Sequence, residues 1–325
     1  MIVNILKTSK PISMLTFAVF CVFFLLATFT YNFDISLSKA GYPLFDLFNL
    51  LTLQNVWIAK TLVFIIAVLT SMGWNNLIYD KSMLKISSVL PATLMLLMSV
   101  VFWYSPLWIV HFLLLFFMQK LYSIYQIDKP YSLLFDAGLI LGICFLAYPP
   151  SLFFLLTLFS VNFIYNSLSW RSFIIPILGF ILPSFLCIAY CYHFHSISDY
   201  IFHYQQALSF DLPSIIAPKF SLFFIVVISL VFILSIIELI KWFSIKSLKS
   251  RFSFILLFIF SICVFLGLFF SSSQGWNHLL LFALPFSVLS ANYFLFSTKK
   301  WWYQSVFTIL FFSVAYFFIR SFFTF

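Results

Sequence analysis

Eleven apolar runs follow one another along the chain with short polar breaks between them, and this succession limits the fold more than any other feature. Apolar stretches bounded by charges, Pro or polar clusters predict helices near 12–31, 57–76, 87–104, 106–121, 132–148, 150–167, 172–191, 220–240, 253–271, 277–297 and 302–323. A helix needs about 20 residues to cross the hydrocarbon core, so the runs use roughly 220 residues and leave no room for a separate soluble domain. The expected fold is all-α: one integral membrane domain over 1–325, a polytopic transmembrane bundle of about 11 spans. Composition agrees, because 64% of the residues are hydrophobic and 8% are charged, where a soluble protein carries about a quarter charged residues. The runs are apolar on every face, which excludes the alternating strands of an outer-membrane barrel. No small-residue cleavage site follows the first run, so it reads as a retained anchor.

The lysines and arginines predict orientation, since basic residues accumulate in cytoplasmic loops. With the N-terminus inside, Lys7, Lys10, Lys81, Lys85, Lys120, Lys129, Arg171, Lys241, Lys246, Lys249, Arg251, Lys299 and Lys300 fall on the inner side, 13 of 17 basic residues. Only Lys39 and Lys219 fall outside; Lys60 and Arg320 sit within or at the end of spans. The C-terminus then lies outside. The net charge of +9 reads as topology and attraction to anionic lipids, and carries no implication of nucleic-acid binding. Cys21, Cys144, Cys187, Cys191 and Cys263 all fall in apolar runs with no CxxC pair, so neither a disulfide nor a metal is expected from them.

Sorted by side, titratable chemistry concentrates outside. Asp34 and Asp46 lie in the first outer loop (32–56); His193, His195, Asp199, His203 and Asp211 lie in the long outer loop (192–219), and His278 follows a short turn. Both loops also carry many apolar residues, such as Phe45, Phe48, Tyr200 and Phe202. That mixture predicts interfacial helices resting on the headgroup layer, a shallow roof over the outer helix mouths.

Two stretches, "DAGLILGICFLAYPPSLFFLL" and "WRSFIIPILGFILPSFL", resemble a family of uncharacterised polytopic inner-membrane proteins of Bacteroidota, in which a Gly-containing helix, a Pro pair and a Trp-Arg dipeptide recur in this order. The likeness covers about 132–190 and implies a bacterial inner membrane, but no site residues. The layout of a long first span, an acidic outer loop with an interfacial helix and many short-looped helices is similar to the membrane glycosyltransferases that use polyprenyl-phosphate sugars (GT-C-like). That similarity implies an Asp beyond the first span at the active site, matched here by Asp34. The paired acidic motif of several such families is absent, because "NFDIS" holds a lone Asp.

Glycosyl transfer needs a carboxylate to take the acceptor proton and a cation to hold the leaving phosphate. Asp34 is the candidate base and Asp46 a second carboxylate; Lys60, His193, His195, His203 and His278 are candidates for the phosphate, and Arg171 for a headgroup or substrate phosphate at the inner interface. The bland alternatives are a solvated or capping Asp34 and a Lys60 that snorkels outward. His193, His195, Asp199 and His203 have ligand types suited to a divalent metal, but they share a face only across a strand-to-helix transition; a hydrated interfacial loop is the alternative. No cofactor motif is present. His111 is expected as a hydrogen-bonded packing residue rather than a proton relay, and Asp136 as a first-turn residue favoured by the helix dipole. Pro91, Pro176, Pro183 and Pro285 are candidate helix breaks, and no inverted repeat suggests a transporter. The rival class is a non-enzymatic subunit or scaffold of an envelope complex, with Gly138 and Gly142 at GxxxG spacing as its docking face. Expected partners are membrane lipids, a polyprenyl-phosphate-linked sugar and an envelope protein.

Overall fold

The computed structural model describes residues 2–7, 11–30, 56–102, 107–165, 169–194, 202, 204–205, 221–270 and 275–323. The described residues form helices and turns with no strand. In order these are α1 (Ile2–Leu6), α2 (Pro11–Thr30), α3 (Val56–Asp80), α4 (Leu90–Ser99), α5 (Leu107–Ser123), α6 (Tyr131–Ala147), a 3-10 segment (Pro149–Phe153), α7 (Phe154–Ile164), α8 (Trp170–Phe194), α9 (Ser221–Phe243), α10 (Leu248–Leu268), a second 3-10 segment (Gly275–Phe282), α11 (Ala283–Phe296) and α12 (Lys300–Phe323). Among the described residues six helices are long and apolar enough to cross a membrane, and shorter apolar helices fill out the bundle. This is the build of a multi-pass membrane protein.

Some expected spans are shorter than a bilayer. The run at 87–104 yields only the ten-residue α4, every residue of which is buried; ten residues rise about 15 Å, half a hydrocarbon core. The runs at 150–167 and 277–297 each open as 3-10 helix before becoming α7 and α11. The core pair is α4 against α11, with α2, α3, α9 and α12 packed around it. Trp74 of α3 locks this centre: its indole N–H, fully buried, donates to the Leu284 carbonyl at 3.1 Å and to Ser287 Oγ at 3.0 Å.

On one flank α6 and α8 touch backbone to backbone. A Cβ at Gly138 would overlap the Pro176 carbonyl oxygen, one at Gly142 that of Phe180, and one at Gly179 that of Phe135. Small residues permit this approach where hydrophobic burial gives no drive between helices in lipid. The Gly138–Gly142 face is therefore filled by α8 of the same chain and is not the free docking face expected. Pro176 and Pro183 do not break α8, which runs continuously past both.

The loop-borne cations gather at one end of the bundle. Lys81 Nζ donates to Ser123 Oγ at 2.9 Å, Ser250 Oγ to the Met83 carbonyl at 2.8 Å, and Tyr303 OH to Asn4 Oδ1 at 2.7 Å. These bonds, with that of Lys246 to Asn292, tie α1, the end of α5 and the α3–α4, α9–α10 and α11–α12 connections into one basic end. At the opposite end Lys60 Nζ donates to the Phe29 carbonyl at 3.2 Å, and Tyr204 OH to the Leu146 carbonyl at 3.0 Å.

Candidate functional site

Asp34, Asp46, His195 and His203, with Asp199, Asp211 and most of both outer loops, lie outside the described residues. The other four site residues are carried by α3, the two ends of α8 and the Gly275–Phe282 segment. Lys60, near the start of α3, is buried, with its ammonium on the Phe29 carbonyl at the end of α2 and 5.6 Å from the Trp57 ring centre. His278 is wholly enclosed: Nε2 stands 2.8 Å from the Val264 carbonyl and Nδ1 stands 2.6 Å from Tyr148 OH. A carbonyl only accepts, so Nε2 carries the proton and Tyr148 donates to Nδ1. This joins α10, the Gly275–Phe282 segment and the end of α6. His193 is exposed near the end of α8, and Arg171 is exposed at the other end of that helix beside Trp170, so Arg171 stands at the basic end, away from Lys60 and His278.

Two further expectations are corrected. His111 is fully buried but neither ring nitrogen makes a hydrogen bond; its ring packs edge-on to Trp108 at 6.0 Å. Asp136 lies beyond the first turn of α6 and pairs with Lys120 at 2.7 Å, so a cation from α5, not the helix dipole, accounts for it. No disulfide joins any of the five cysteines, all of which are among the described residues.

Near the Lys60 and His278 end, an apolar cavity of about 300 Å³ lies between α4, α9, α10 and the Gly275–Phe282 segment. Met98, Phe102, Phe224, Phe232, Phe265 and Leu279 wall it, and it reaches the bundle's side at Ser229 and Ile233, the latter 56% exposed. Its volume is at the lower bound of ligand-sized pockets, about 300 Å³, and its lining offers a hydrocarbon chain contact without a polar cost. Leu279 adjoins His278 in sequence, so the Tyr148–His278–Val264 bonds brace one wall.

At the basic end a larger cavity of about 620 Å³ lies among the end of α9, the α9–α10 turn, the end of α11 and the start of α12. Glu238, the sole glutamate of the chain, sits on its wall. The carboxylate accepts from Trp242 Nε1 at 2.8 Å and, at the looser distance of 3.4 Å, from Lys241. Tyr293 lines the same space, 3% exposed, and its hydroxyl lies near the Ser297 and Trp302 side chains without a well-formed hydrogen bond. Behind this wall Lys246 is buried, donates to Asn292 Oδ1 at 2.8 Å, and faces the Phe254 and Phe296 rings at 4.8 and 4.7 Å. Burial, with repulsion from Lys85 second, lowers its ammonium to about 8. The Nδ2 of Asn292 has no partner. An ionisable residue within a span signals function by default, and Glu238 carried that signal in the sequence; its neighbours from α11 and α12 were not legible there.

No curated protein and no solved structure matches the chain. The family of unknown function DUF6427 matches residues 47–325, nearly the whole length, and the chain belongs to that family.

Proposed function

We propose that this protein lies in a bacterial inner membrane, N-terminus inside and C-terminus outside, and handles a lipid-linked saccharide at the extracytoplasmic face, its leading activity being sugar transfer from a polyprenyl-phosphate donor. The observation that carries the reading is the apolar cavity opening sideways at Ser229 and Ile233, the shape a membrane-embedded lipid chain needs for entry from the bilayer. It stands at the end of the bundle opposite the clustered lysines, which the positive-inside rule assigns to the outside. In this reading Asp34 takes the acceptor proton with Asp46 nearby, Lys60, His193 at the end of α8 and the loop histidines His195 and His203 face the phosphate, and His278 positions the cavity wall through Leu279.

The test is photolabelling of the reconstituted protein with a benzophenone-bearing polyprenyl phosphate. Labelling at Phe232 and Leu279, lost when Ile228→Trp fills the cavity, is the expected result; labels spread only over lipid-facing α8 residues overturn it. Sugar transfer is then measured with Asp34→Asn, which is expected to abolish it.

One observation favours a second reading, a non-enzymatic subunit of an envelope complex. The nitrogens of Lys60 and His278 are engaged by a carbonyl or Tyr148, as structural polar groups are. Full activity of Asp34→Asn in a deletion strain would support it.

A further inference from the structure

The cavity at the basic end has a graded wall. Leu234 and Ile237 line its bilayer side; Glu238, Lys241, Ser297, Thr298 and Lys299 line its interfacial side. Apolar below and charged above, it has the profile of a single phospholipid standing at the membrane surface. The charges themselves are divided. Glu238 has a side chain only 13% exposed and is only loosely paired with Lys241, which is 64% exposed. The indoles of Trp242 and Trp302 flank the same space, and a carboxylate with aromatic faces is the arrangement that selects an ammonium group. Across the cavity Thr298 and Lys299 immediately precede α12, whose N-terminal end favours an anion.

We propose that this cavity binds an aminophospholipid of the phosphatidylethanolamine type, its ammonium at Glu238 between Trp242 and Trp302 and its phosphate at Lys299 and the start of α12. The buried Tyr293 hydroxyl, near the Ser297 and Trp302 side chains but without a well-formed hydrogen bond to either, is a second sign of an incomplete site: a buried hydroxyl without a good hydrogen bond is costly, and a headgroup oxygen within reach lowers that cost. The site lies at the opposite end of the bundle from the lipid-chain cavity and does not depend on glycosyl transfer.

The test reconstitutes the full chain into nanodiscs of equal parts phosphatidylethanolamine and phosphatidylglycerol and identifies retained lipid by native mass spectrometry. Wild type is expected to retain phosphatidylethanolamine preferentially, and Glu238→Gln to lose that preference by about tenfold, while Lys299→Ala weakens retention of both lipids. Trp302→Leu, at a half-exposed position, weakens the same preference and serves should Glu238→Gln fail to fold; thermal unfolding in pure phosphatidylglycerol confirms that each variant is folded. Equal retention of the two lipids by wild type, or an unchanged preference in a folded Glu238→Gln or Trp302→Leu variant, overturns the site. Displacement of the bound lipid by soluble phosphoethanolamine assigns the site to a free metabolite and overturns the lipid assignment.

Discussion

Asn162 of α7 donates its side-chain amide to the Ser172 carbonyl of α8 at 3.0 Å, and Ser172 is the residue whose carbonyl Pro176 deprives of its helical donor. Proline has no N–H, so the carbonyl four residues earlier loses its partner; the fully buried Asn162 supplies another. This is how α8 passes through Pro176 without breaking, and it couples α7 to the α6–α8 pair.

Asn162→Leu should leave the Ser172 carbonyl without this donor and destabilise the protein by about 1–3 kcal/mol. Pro176→Ala restores a backbone N–H at the right place. In the double variant the loss should therefore shrink, and a double-mutant cycle in denaturant-monitored unfolding measures the coupling. Equal losses with and without Pro176 would remove the link.

The glycines divide into two kinds. Gly138→Ala drives a methyl into the backbone of α8, so it should cost several kcal/mol, about the upper range for single substitutions. Gly73→Ala meets only the end of the flexible Leu115 side chain at 3.2 Å and should stay within about 1 kcal/mol. Thermal unfolding of the two variants side by side distinguishes a built interface from loose packing.

Tyr148→Phe removes the donor that His278 Nδ1 receives at 2.6 Å and should cost about 1–3 kcal/mol. Gly267→Ala places a methyl 2.9 Å from His278 Cε1 and should disturb the same wall. If the cavity braced by His278 holds a lipid chain, both variants should reduce photolabelling there more than they reduce labelling of α8.

Lys246 predicts a pH dependence. Its folded ammonium is lowered to about 8 from 10.5, so between those values the unfolded chain binds more protons than the folded one, and stability rises as pH increases through that window. Below pH 8 both states are charged and the full burial cost remains. Lys246→Met should remove the slope, but because it also leaves the buried Asn292 Oδ1 without its donor, at about 1–3 kcal/mol, it should bring little net gain in stability at neutral pH. Unfolding midpoints from pH 7 to 10.5 check both parts.

Hydropathy along the chain was enough to locate the apolar helices, because crossing or filling a bilayer demands long apolar runs whatever their neighbours. The spacing of Lys and Arg likewise anticipated which connections meet at one end: Lys81, Lys246 and Lys299 sit in three of the loops that the structure gathers there. Rotation about each helix axis was not legible. Lipid and protein interior are both apolar, so a span that is apolar on every face does not declare which side it buries. Only the packed structure decided that Lys60 turns back onto Phe29, that His278 closes on Tyr148 and Val264, and that Gly138 meets α8. It also decided the length of α4, whose buried backbone is freed from the bilayer's dimensions by the helices around it. Glu238 stood in the sequence as an isolated charge in an apolar run; Trp242 was four residues away, but Tyr293 and Trp302 reach the same cavity only because α9, α11 and α12 end together.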